Sequence, residues 1–441
     1  MIALALTAAA ATTPATSGGA AKTIAPAAPD APIHYTVKPG DTLSQLARLY
    51  LAPGHDWRDL QRLWHVANPR RLPARRVFTI PRPWLRWTPA SAQVASVRGS
   101  VVFRAAGATL PSTNGTVLRE GAQVTTAANS YTTLVLTNGS RVALPSNSDV
   151  TILRLRTYTL GRTIDYRFGL GRGTLDTKDT PLANPDSGFI IRTLLSLTAV
   201  RGTEYAVSLS PDATQGGTAV FEGTVAVSAP DGSATNRVPE GFGAVSQAGA
   251  APVRLALLGA PDLTDPGRAQ IDDQVSFDIA PLPGASAYRV QLANDAGFVD
   301  TFLEQDQASP HFVFDTIENG RKYIRVSAIG PGELAGMRQS YSFVRHLASV
   351  HAEAEATDDG YLFRWFGNGE GARHYRLQIY RDTLESTPVV DEVGLETSEA
   401  TIRDLPAGVY LWRVGLTQTD ADGTFENWTS PEKLTIADQS R

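Results

Sequence analysis

Between residues 94 and 258 the sequence consists of short apolar runs separated by Gly, Asn and Asp, and no helical periodicity lasts more than two turns. "YTTLVLTNGSRVAL" and "TAVFEGTVAVSAPDG" are examples, and their Asn138-Gly139 and Asp231-Gly232 pairs are typical of hairpin turns. Alternating runs joined by such turns predict an all-β domain of roughly a dozen strands, built as two packed sheets or as a solenoid-like stack. We therefore expect a mainly β protein.

An internal repeat occupies the C-terminal part of the chain. "AYRVQLA" at 287–293 recurs as "HYRLQIY" at 374–380, and "YIRV" at 323–326 recurs within "YLWRV" at 410–414. The two copies are 87 or 88 residues apart. A constant offset with alternating apolar residues in both copies predicts two tandem β-sandwich modules, at 262–346 and 347–438.

Both modules resemble fibronectin type III or related immunoglobulin-like domains. The resemblance implies that Trp365 and Trp412 belong to the core of the second module, with Ile279 and Ile324 in comparable places in the first. The stretch "APVRLALLGAPDLTDPG" at 251–267 is rich in turn residues and is expected to be the linker before them. Modules of this kind act as spacers or protein-contact surfaces, so we expect no chemistry from them.

The N-terminal part has a different pattern, which predicts a short strand, two helices and a closing strand. "YTVKPGDTLSQLA" at 35–47 alternates, turns at Pro39-Gly40 and starts a helix, for which Thr42 and Gln45 fit a capping box. Asp56 is the N-cap candidate of a second helix that ends at Asn68-Pro69. Its predicted inward face comprises Trp57, Leu60, Leu63, Trp64 and Ala67. "RRVFTIP" then predicts a closing strand at 75–81, which completes a small βααβ module at 33–89.

Residues 34–81 resemble a LysM module, through "HYTVKPGDTLSQLARLY", a helix ending in "ANP" and a strand ending in "IP". The second half departs from the family, because Ala74-Arg75-Arg76 stands where Pro-Gly-Gln is usual. LysM modules bind polymers that contain N-acetylglucosamine, such as peptidoglycan and chitin, in a shallow groove between two loops. By position, the resemblance implies that the groove is formed by Gly40, Asp41, Thr42 and Leu43 on one wall and by Asn68, Pro69 and Arg70 on the other.

A purely structural interpretation of the same residues stays open. Gly40 is explained by the tight turn, Thr42 by helix capping and Leu43 by the core of the module.

The charge of the module favours an anionic polymer as its partner. Residues 31–89 contain ten Lys or Arg and three Asp, a net charge of +7 in a chain whose total is −4. Peptide stems of peptidoglycan carry carboxylates, which suit such a surface. Nucleic acid is the other polyanion, but the Arg residues are scattered over two helices and a loop without a stacking platform, so we expect none to bind.

The middle of the chain resembles the FecR-type domain of bacterial envelope proteins. The resemblance is carried by "LREGAQVTTAANSYTTLVLTNGSRVALPSNSDVTI", "GRGTLDT", "TAVRGTEYAV" and "VFEGTVAV", in that order. In the motif at 199–205, Gly202 permits a bend or bulge, and Arg201 and Glu204 are placed to pair or to satisfy backbone groups, so we interpret it as a structural corner. The founding member of the family controls a sigma factor through a membrane span and a cytoplasmic segment. We expect neither here, and the resemblance then implies a scaffold or interaction module.

Residues 1–32 are rich in Ala and begin "MIALALTAAAA", which resembles a secretory signal, although the first basic residue is Lys22. A flexible, disordered leader is the alternative. No apolar run reaches eighteen residues, so no membrane span is expected. The absence of Cys excludes disulfides and thiolate metal sites. The absence of Cys is compatible with either compartment, and the signal-like start together with the LysM resemblance indicates the periplasm or cell envelope.

No motif indicates catalysis. The seven His are widely separated, with only His55 and His65 near the expected groove, and the pairs Asp272-Asp273 and Asp358-Asp359 fit solvated turns. No phosphate-binding loop or nucleophile elbow occurs. We therefore expect no catalytic residue, no metal site and no cofactor.

Taken together, the sequence predicts a non-enzymatic envelope protein that binds peptidoglycan and presents β domains as a scaffold or protein-interaction surface. The alternative is a FecR-like signalling component that contacts an envelope receptor or transporter. A membrane-spanning segment or cytoplasmic tail upstream of Met1 would favour the alternative.

Overall fold

The computed structural model describes residues 30–182, 184–200, 202–421 and 423–437. The fold is multidomain and mainly β, as predicted: a small βααβ unit is followed by an all-β unit and two β-sandwiches. Among the described residues, no helix has the length and apolar character needed to cross a membrane.

The first unit consists of β1 (Ile33–Thr36), α1 (Leu43–Tyr50), α2 (Trp57–Trp64) and β2 (Val77–Ile80). The two strands pair antiparallel, with Ile33 opposite Ile80. Both predicted N-caps are confirmed: the Thr42 side chain accepts from the N–H of Gln45, and Asp56 caps α2. The reciprocal capping box forms at Asp56 and Asp59, whereas at Thr42 only the bond from the Gln45 N–H is present.

The predicted inward face of α2 is wrong at two positions. The helix ends at Trp64 because His65 adopts a left-handed conformation with φ of 52°, so Ala67 lies beyond it and is exposed. Leu63 lies at the margin of the buried face, and its side chain is 37% exposed. Leu60 and Trp64 are buried as expected, and the Trp64 ring stacks on Phe78 with centroids 4.3 Å apart.

The first unit shares its core with the all-β unit. Tyr158 and Leu160, both from the all-β unit, pack into the same buried cluster as Leu43, Leu60 and Ile80. Burial of large apolar side chains across the boundary is worth about 1.5–3 kcal/mol each. The first unit is therefore packed firmly against its neighbour.

Polar contacts reinforce this boundary. The backbone N–H of His34 and its ring Nδ1–H donate to the Asp186 carboxylate, at 2.8 and 2.7 Å. Arg82, which is buried in a short 3-10 helix at Arg82–Trp84, donates to the carbonyl oxygens of Ala31 (2.8 Å) and Asp186 (2.6 Å).

Among its described residues, the all-β unit contains more strands than the dozen predicted, and several of them are only two to four residues long. Its strands are β3 (Trp87–Pro89), β4 (Ala92–Arg98), β5 (Val101–Ala105), β6 (Ala108–Leu110), β7 (Val117–Leu118), β8 (Gln123–Thr126), β9 (Tyr131–Leu136), β10 (Arg141–Leu144), β11 (Asp149–Tyr158), β12 (Ile164–Lys178), β13 (Gly188–Arg192), β14 (Leu197–Val200), β15 (Glu204–Leu209), β16 (Gln215–Glu222), β17 (Thr224–Ser228), β18 (Thr235–Pro239), β19 (Phe242–Gln247) and β20 (Val253–Ala256).

These strands form two sheets that share the long strand β12. Its first half pairs with β11 and, in parallel, with β13, whereas its second half pairs with β10 and β15. One continuous core lies between the sheets. The ladders of the two sheets join into one closed barrel. The Gly139 and Gly232 turns are confirmed, with φ of 86° and 75°.

The predicted linker at 251–267 is not a free connection. Strand β20 belongs to the all-β unit, where it pairs with β19, and Leu263–Thr264 already pairs with the first sandwich. Leu257 packs between the two units. The Pro and Gly residues mark turns between strands here rather than an unpaired spacer.

Both sandwiches follow the predicted repeat. The strands of the first are β21 (Leu263–Thr264), β22 (Val275–Ile279), β23 (Ala287–Ala293), β24 (Thr301–Gln307), β25 (His311–Phe314), β26 (Gly320–Ile329) and β27 (Ala335–Arg345). Those of the second are β28 (Val350–Thr357), β29 (Gly360–Gly367), β30 (Ala372–Arg381), β31 (Val390–Leu395), β32 (Glu399–Ile402), β33 (Gly408–Asp420), β34 (Gly423–Trp428) and β35 (Glu432–Ile436).

In the first sandwich, a sheet in the order β21-β22-β25 faces one in the order β24-β23-β26-β27. The second repeats this plan as β28-β29-β32 and β31-β30-β33-β34, with β35 also paired to β33. The repeated motifs are the equivalent strands β23 and β30. Trp365 and Trp412 are each 2% exposed, and Ile279 and Ile324 are also buried, which confirms them as core residues.

The first sandwich packs against the all-β unit. Phe221 lies in a small apolar cluster with Leu257 and Met337, and the Arg338 guanidinium lies 3.7 Å from the centre of the Phe221 ring. Asp300 accepts from both Arg98 and Ser96 across the boundary, and these hydrogen bonds lower the pKa of its carboxyl.

Candidate functional site

The first wall of the predicted groove is the loop between β1 and α1, and it is held by one carboxylate. Asp41 accepts from the Tyr35 hydroxyl at 2.6 Å and from the Lys38 backbone N–H at 2.7 Å. Gly40 supplies the turn with φ of 89°, a conformation that favours glycine. Burial and the Asp41 hydrogen bond raise the pKa of Tyr35, so its hydroxyl remains a donor.

The second wall is the loop after α2. The Asn68 side-chain oxygen accepts from the Arg70 backbone N–H at 3.0 Å, and the Asn68 carbonyl accepts from Arg71 at 3.1 Å. This is an Asx turn, which orders a loop by replacing a backbone contact with a side-chain contact. Asn68 and Arg70 are exposed, and Pro69 is half-buried.

One hydrogen bond joins the two walls. The Leu43 backbone N–H, at the first position of α1, donates to the Pro69 carbonyl at 3.1 Å. Sequence reasoning placed these loops on opposite sides of one groove, and the structure brings them into contact. The Leu43 side chain is fully buried, so only its backbone lies at the groove, and the Thr42 hydroxyl is engaged in capping α1.

Several polar groups of the two walls are unpartnered among the described residues. Among the described residues, the Gly40 N–H, the Asn68 side-chain amide hydrogens and the Arg70 guanidinium have no hydrogen-bond partner. Asp41 Oδ2 is engaged within its own loop, whereas its Oδ1 and the carbonyl oxygens of Gly40 and Asp41 accept no hydrogen bond from the described residues. The two walls therefore offer both donors and acceptors.

The loop before β2, where the sequence departs from the LysM pattern, closes the same end of the unit. Arg75 adopts a left-handed conformation with φ of 66°, and its backbone N–H donates to the Val37 carbonyl at 2.8 Å. The Val37 N–H in turn donates to the Arg76 backbone carbonyl at 2.9 Å. Ala74-Arg75-Arg76 thus makes the turn for which glycine is the usual residue.

Replacing Arg75 by glycine should stabilise the chain. A non-glycine residue in the left-handed region costs about 1–2 kcal/mol, and the added backbone entropy of glycine costs about 0.5–1 kcal/mol, so the net gain lies between about 0 and 1.5 kcal/mol. Urea unfolding measures it. Arg76→Gly is the matched control, since Arg76 is an exposed neighbour with ordinary φ, and it should destabilise the chain. A lower midpoint for Arg75→Gly would contradict the strain argument.

Exposed cations surround the groove, a feature that the predicted site omitted. The unit's acids are engaged by close neighbours: Asp41 by Tyr35, Asp56 by Arg58, and Asp59 by Arg62. The cations without an ion pair among the described residues are concentrated in the three loops described above: Lys38, Arg70, Arg71, Arg75 and Arg76. We call these five residues the cationic rim. The net positive charge of the module was predicted from the sequence, but the grouping of these five residues in three neighbouring loops depends on the fold.

The two histidines near the expected groove have other roles. His65 ends α2, and the His55 ring stacks on Trp84 with centroids 4.7 Å apart and lies 3.4 Å from Asp59. Neither belongs to the two loops that form the walls.

The motif at 199–205 of the all-β unit forms a tight corner. Gly202 has φ of 68°, and its N–H donates to the buried carboxylate of Asp179 at 3.2 Å. The Ser140 hydroxyl donates to the same carboxylate, whose pKa is raised by burial. Glu204 pairs with Lys178 at 2.8 Å, while Arg201, its other expected partner, lies outside the described residues.

Comparison with known families agrees with both resemblances. Residues 35–81 match the family model of the LysM domain, and residues 122–226 match that of the FecR protein. The chain carries a LysM domain followed by a FecR domain. The LysM domain is therefore the unit that contains the groove, and the FecR domain lies within the all-β unit. No curated protein matches the chain.

Solved structures match parts of the chain at low identity. One is a "putative anti-sigma factor from Parabacteroides distasonis ATCC 8503", 13% identical, with a TM-score of 0.25, covering 30% of this chain and 59% of that one. The chain thus spans 59% of that structure's length. A two-domain fibronectin type III segment of chicken tenascin is 12% identical, with a TM-score of 0.19, covering 41% and 99%. Chicken CNTN1 FN1-FN3 domains are 11% identical, with a TM-score of 0.22, covering 60% and 99%. The assignment of the sandwiches rests on their own strand order.

Proposed function

We propose that this chain is a non-enzymatic protein of the cell envelope, which binds peptidoglycan through its LysM domain and presents its β domains as a scaffold or protein-interaction surface. The observation that carries the proposal is the pair of loops joined through Leu43 and Pro69 and bordered by the cationic rim. The seven groove residues proposed from the sequence remain our candidates.

The free groups of the groove suit an N-acetyl sugar. An acetamido group presents a carbonyl oxygen, which the Gly40 N–H or the Asn68 amide can bind. Each neutral hydrogen bond of this kind is worth about 0.5–1.5 kcal/mol. Several such contacts along a polymer add up, so modest individual contacts are sufficient for retention on a cell wall.

The cationic rim suits the peptide part of peptidoglycan. Five exposed cations lie in the loops that border the groove, and carboxylates of peptide stems would meet them beside the glycan. An exposed ion pair contributes about 0.2–1 kcal/mol at ordinary ionic strength. Two or three such pairs are worth about tenfold in affinity, which is large enough to measure.

Retention of the full chain on purified peptidoglycan should fall about tenfold between low and high salt. Screening shortens the reach of exposed charges from about 30 Å at 0.01 M to about 3 Å at 1 M ionic strength. The measurement is sedimentation with insoluble peptidoglycan over a salt series. Chitin is the matched control, because it offers N-acetylglucosamine without carboxylates, and binding to chitin should be nearly independent of salt.

Equal salt dependence on both polymers would contradict the role of the rim. Retention on peptidoglycan that does not change with salt would assign the affinity to the sugar groove alone. Absence of binding to either polymer would overturn the proposal.

The second candidate is a FecR-like signalling component that contacts an envelope receptor or transporter. The match of residues 122–226 to the FecR family favours it. Both functions place the protein in the envelope and neither requires catalysis. A chain that binds neither polymer at any ionic strength would leave this second candidate as the better one.

A further inference from the structure

A cavity of about 100 Å³ lies between the FecR-containing unit and the first sandwich. Strand β10 and the end of β12 contribute one side, and the loop before β24 together with β26 contributes the other. Its walls are partly apolar, with Leu144 and Phe298 among them, and partly charged. Nothing in the proposed glycan-binding function uses it.

The side chain that distinguishes this cavity is Arg325, on β26. Its guanidinium lies 3.8 Å from the centre of the Phe298 ring, a stacked position that holds the planar group in place. Among the described residues it has no hydrogen-bond acceptor and no ion-pair partner. Burial lowers its pKa to about 10, so it is still a cation at neutral pH.

The two acids that line the cavity are paired with neighbouring cations. Asp176 accepts from Arg338 at 2.6 Å, and Glu204 pairs with Lys178 at 2.8 Å. Arg141, also at the cavity, donates to the Gly297 carbonyl at 3.3 Å. Both acids are thus held in ion pairs, whereas neither Arg325 nor Arg141 has an ion-pair partner among the described residues, and Arg325 presents a fork of N–H donors.

We propose that this cavity binds a carboxylate carried on a short aliphatic stem, with Arg325 as its principal contact. A guanidinium and a carboxylate match in geometry and can form two parallel hydrogen bonds. The cavity of about 100 Å³ has room for a carboxylate with a short aliphatic stem, since a single water needs only about 10–15 Å³ of such space. Leu144 and Phe298 accommodate the stem.

This chemistry is found both in small free acids and in the side chain of a glutamate on a partner protein. Two probes separate the sources: propionate, and the peptide acetyl-Ala-Glu-Ala-amide. Binding of both, or of either one alone, supports the carboxylate site and identifies which carrier it accepts. The same peptide with Gln in place of Glu is the control for the charge.

The experiment is titration of the full chain followed by NMR or thermal shift. We expect binding in the millimolar range, because so small a ligand offers few contacts. Arg325→Gln should weaken binding at least tenfold. Arg321→Gln is the matched control, since Arg321 lies on the same strand, is exposed and does not line the cavity, and it should leave binding unchanged.

Ala143→Leu provides a second variant, because it fills the cavity while leaving Arg325 in place. It should also abolish binding. Arg325→Gln loses the stacking on Phe298, so without ligand it should melt slightly lower than the wild type, and Ala143→Leu, which keeps Arg325, is the variant that separates ligand binding from a structural role.

The proposal is overturned if neither probe binds the wild type, if the Gln peptide binds as well as the Glu peptide, or if phosphate binds more tightly than the carboxylates. It is also overturned if Arg325→Gln melts much lower than the wild type while Ala143→Leu binds normally.

Discussion

Replacing both Asn68 and Arg70 by alanine should weaken binding of the full chain to peptidoglycan roughly tenfold or more. The variant removes one neutral contact, worth about 0.5–1.5 kcal/mol, and one exposed cation, worth about 0.2–1 kcal/mol, together with the Asn68 hydrogen bond of the Asx turn that orders the loop. Both side chains are exposed and lie beyond α2, so the buried cluster around Leu43 and Leu60 is untouched. Sedimentation with peptidoglycan measures the effect, and circular dichroism checks that the variant is folded.

The full chain is the correct material for this test, because Tyr158 and Leu160 complete the core of the LysM domain. Arg48→Ala is the matched control. Arg48 is exposed on α1, outside the groove loops, and its replacement removes the same charge as Arg70→Ala. It should change retention by less than twofold. If the folded double variant is retained as well as the wild type, the groove lies elsewhere.

Replacing Gly202 by alanine should strongly destabilise the FecR-containing unit. An added Cβ would lie 2.7 Å from the Cα of Pro181, which is backbone and cannot move aside as a side chain could. The left-handed conformation adds about 1–2 kcal/mol and the overlap about 1–3 kcal/mol, for a total of about 2–5 kcal/mol. Urea unfolding followed by fluorescence measures the shift in the transition midpoint.

Gly188→Ala is the control for this experiment. Gly188 lies in the same unit, on β13, with ordinary φ and no heavy atom within 4 Å of its added Cβ. Alanine there should leave the midpoint unchanged or raise it slightly. Since the chain has several domains, the comparison concerns midpoints rather than a single free energy of unfolding. A Gly202→Ala variant that is as stable as Gly188→Ala would remove the steric explanation of the corner.

Local signals in the sequence were sufficient for most elements. Thr42 and Asp56 each cap the predicted helix, because capping depends on residues within one turn. The sandwich repeat could also be predicted, since β23 and β30 have the same alternation of apolar and polar residues 87 residues apart. Errors occurred where a helix ended on a left-handed residue, as at His65, which has no reliable signal in a single sequence.

The candidate site was predictable only in part. The resemblance placed both loops on one groove, but the bond from Leu43 to Pro69 joins segments 26 residues apart and has no local signature. The left-handed turn at Arg75 could not be predicted from the sequence, because glycine is the residue that normally indicates such a turn. Packing between domains, as at Tyr158 and Arg325, depends on long-range contacts that a residue pattern does not encode.

The packed boundary between the LysM domain and its neighbour has a mechanical consequence. Glycine- and serine-rich linkers are flexible, so two domains joined by such a linker change their relative orientation freely. Here Tyr158 is inserted among the side chains of the LysM domain, and Asp186 holds both His34 and Arg82. A chain anchored through this domain would therefore transmit torque, and the direction of a glycan strand in the groove would set the direction in which the sandwiches point.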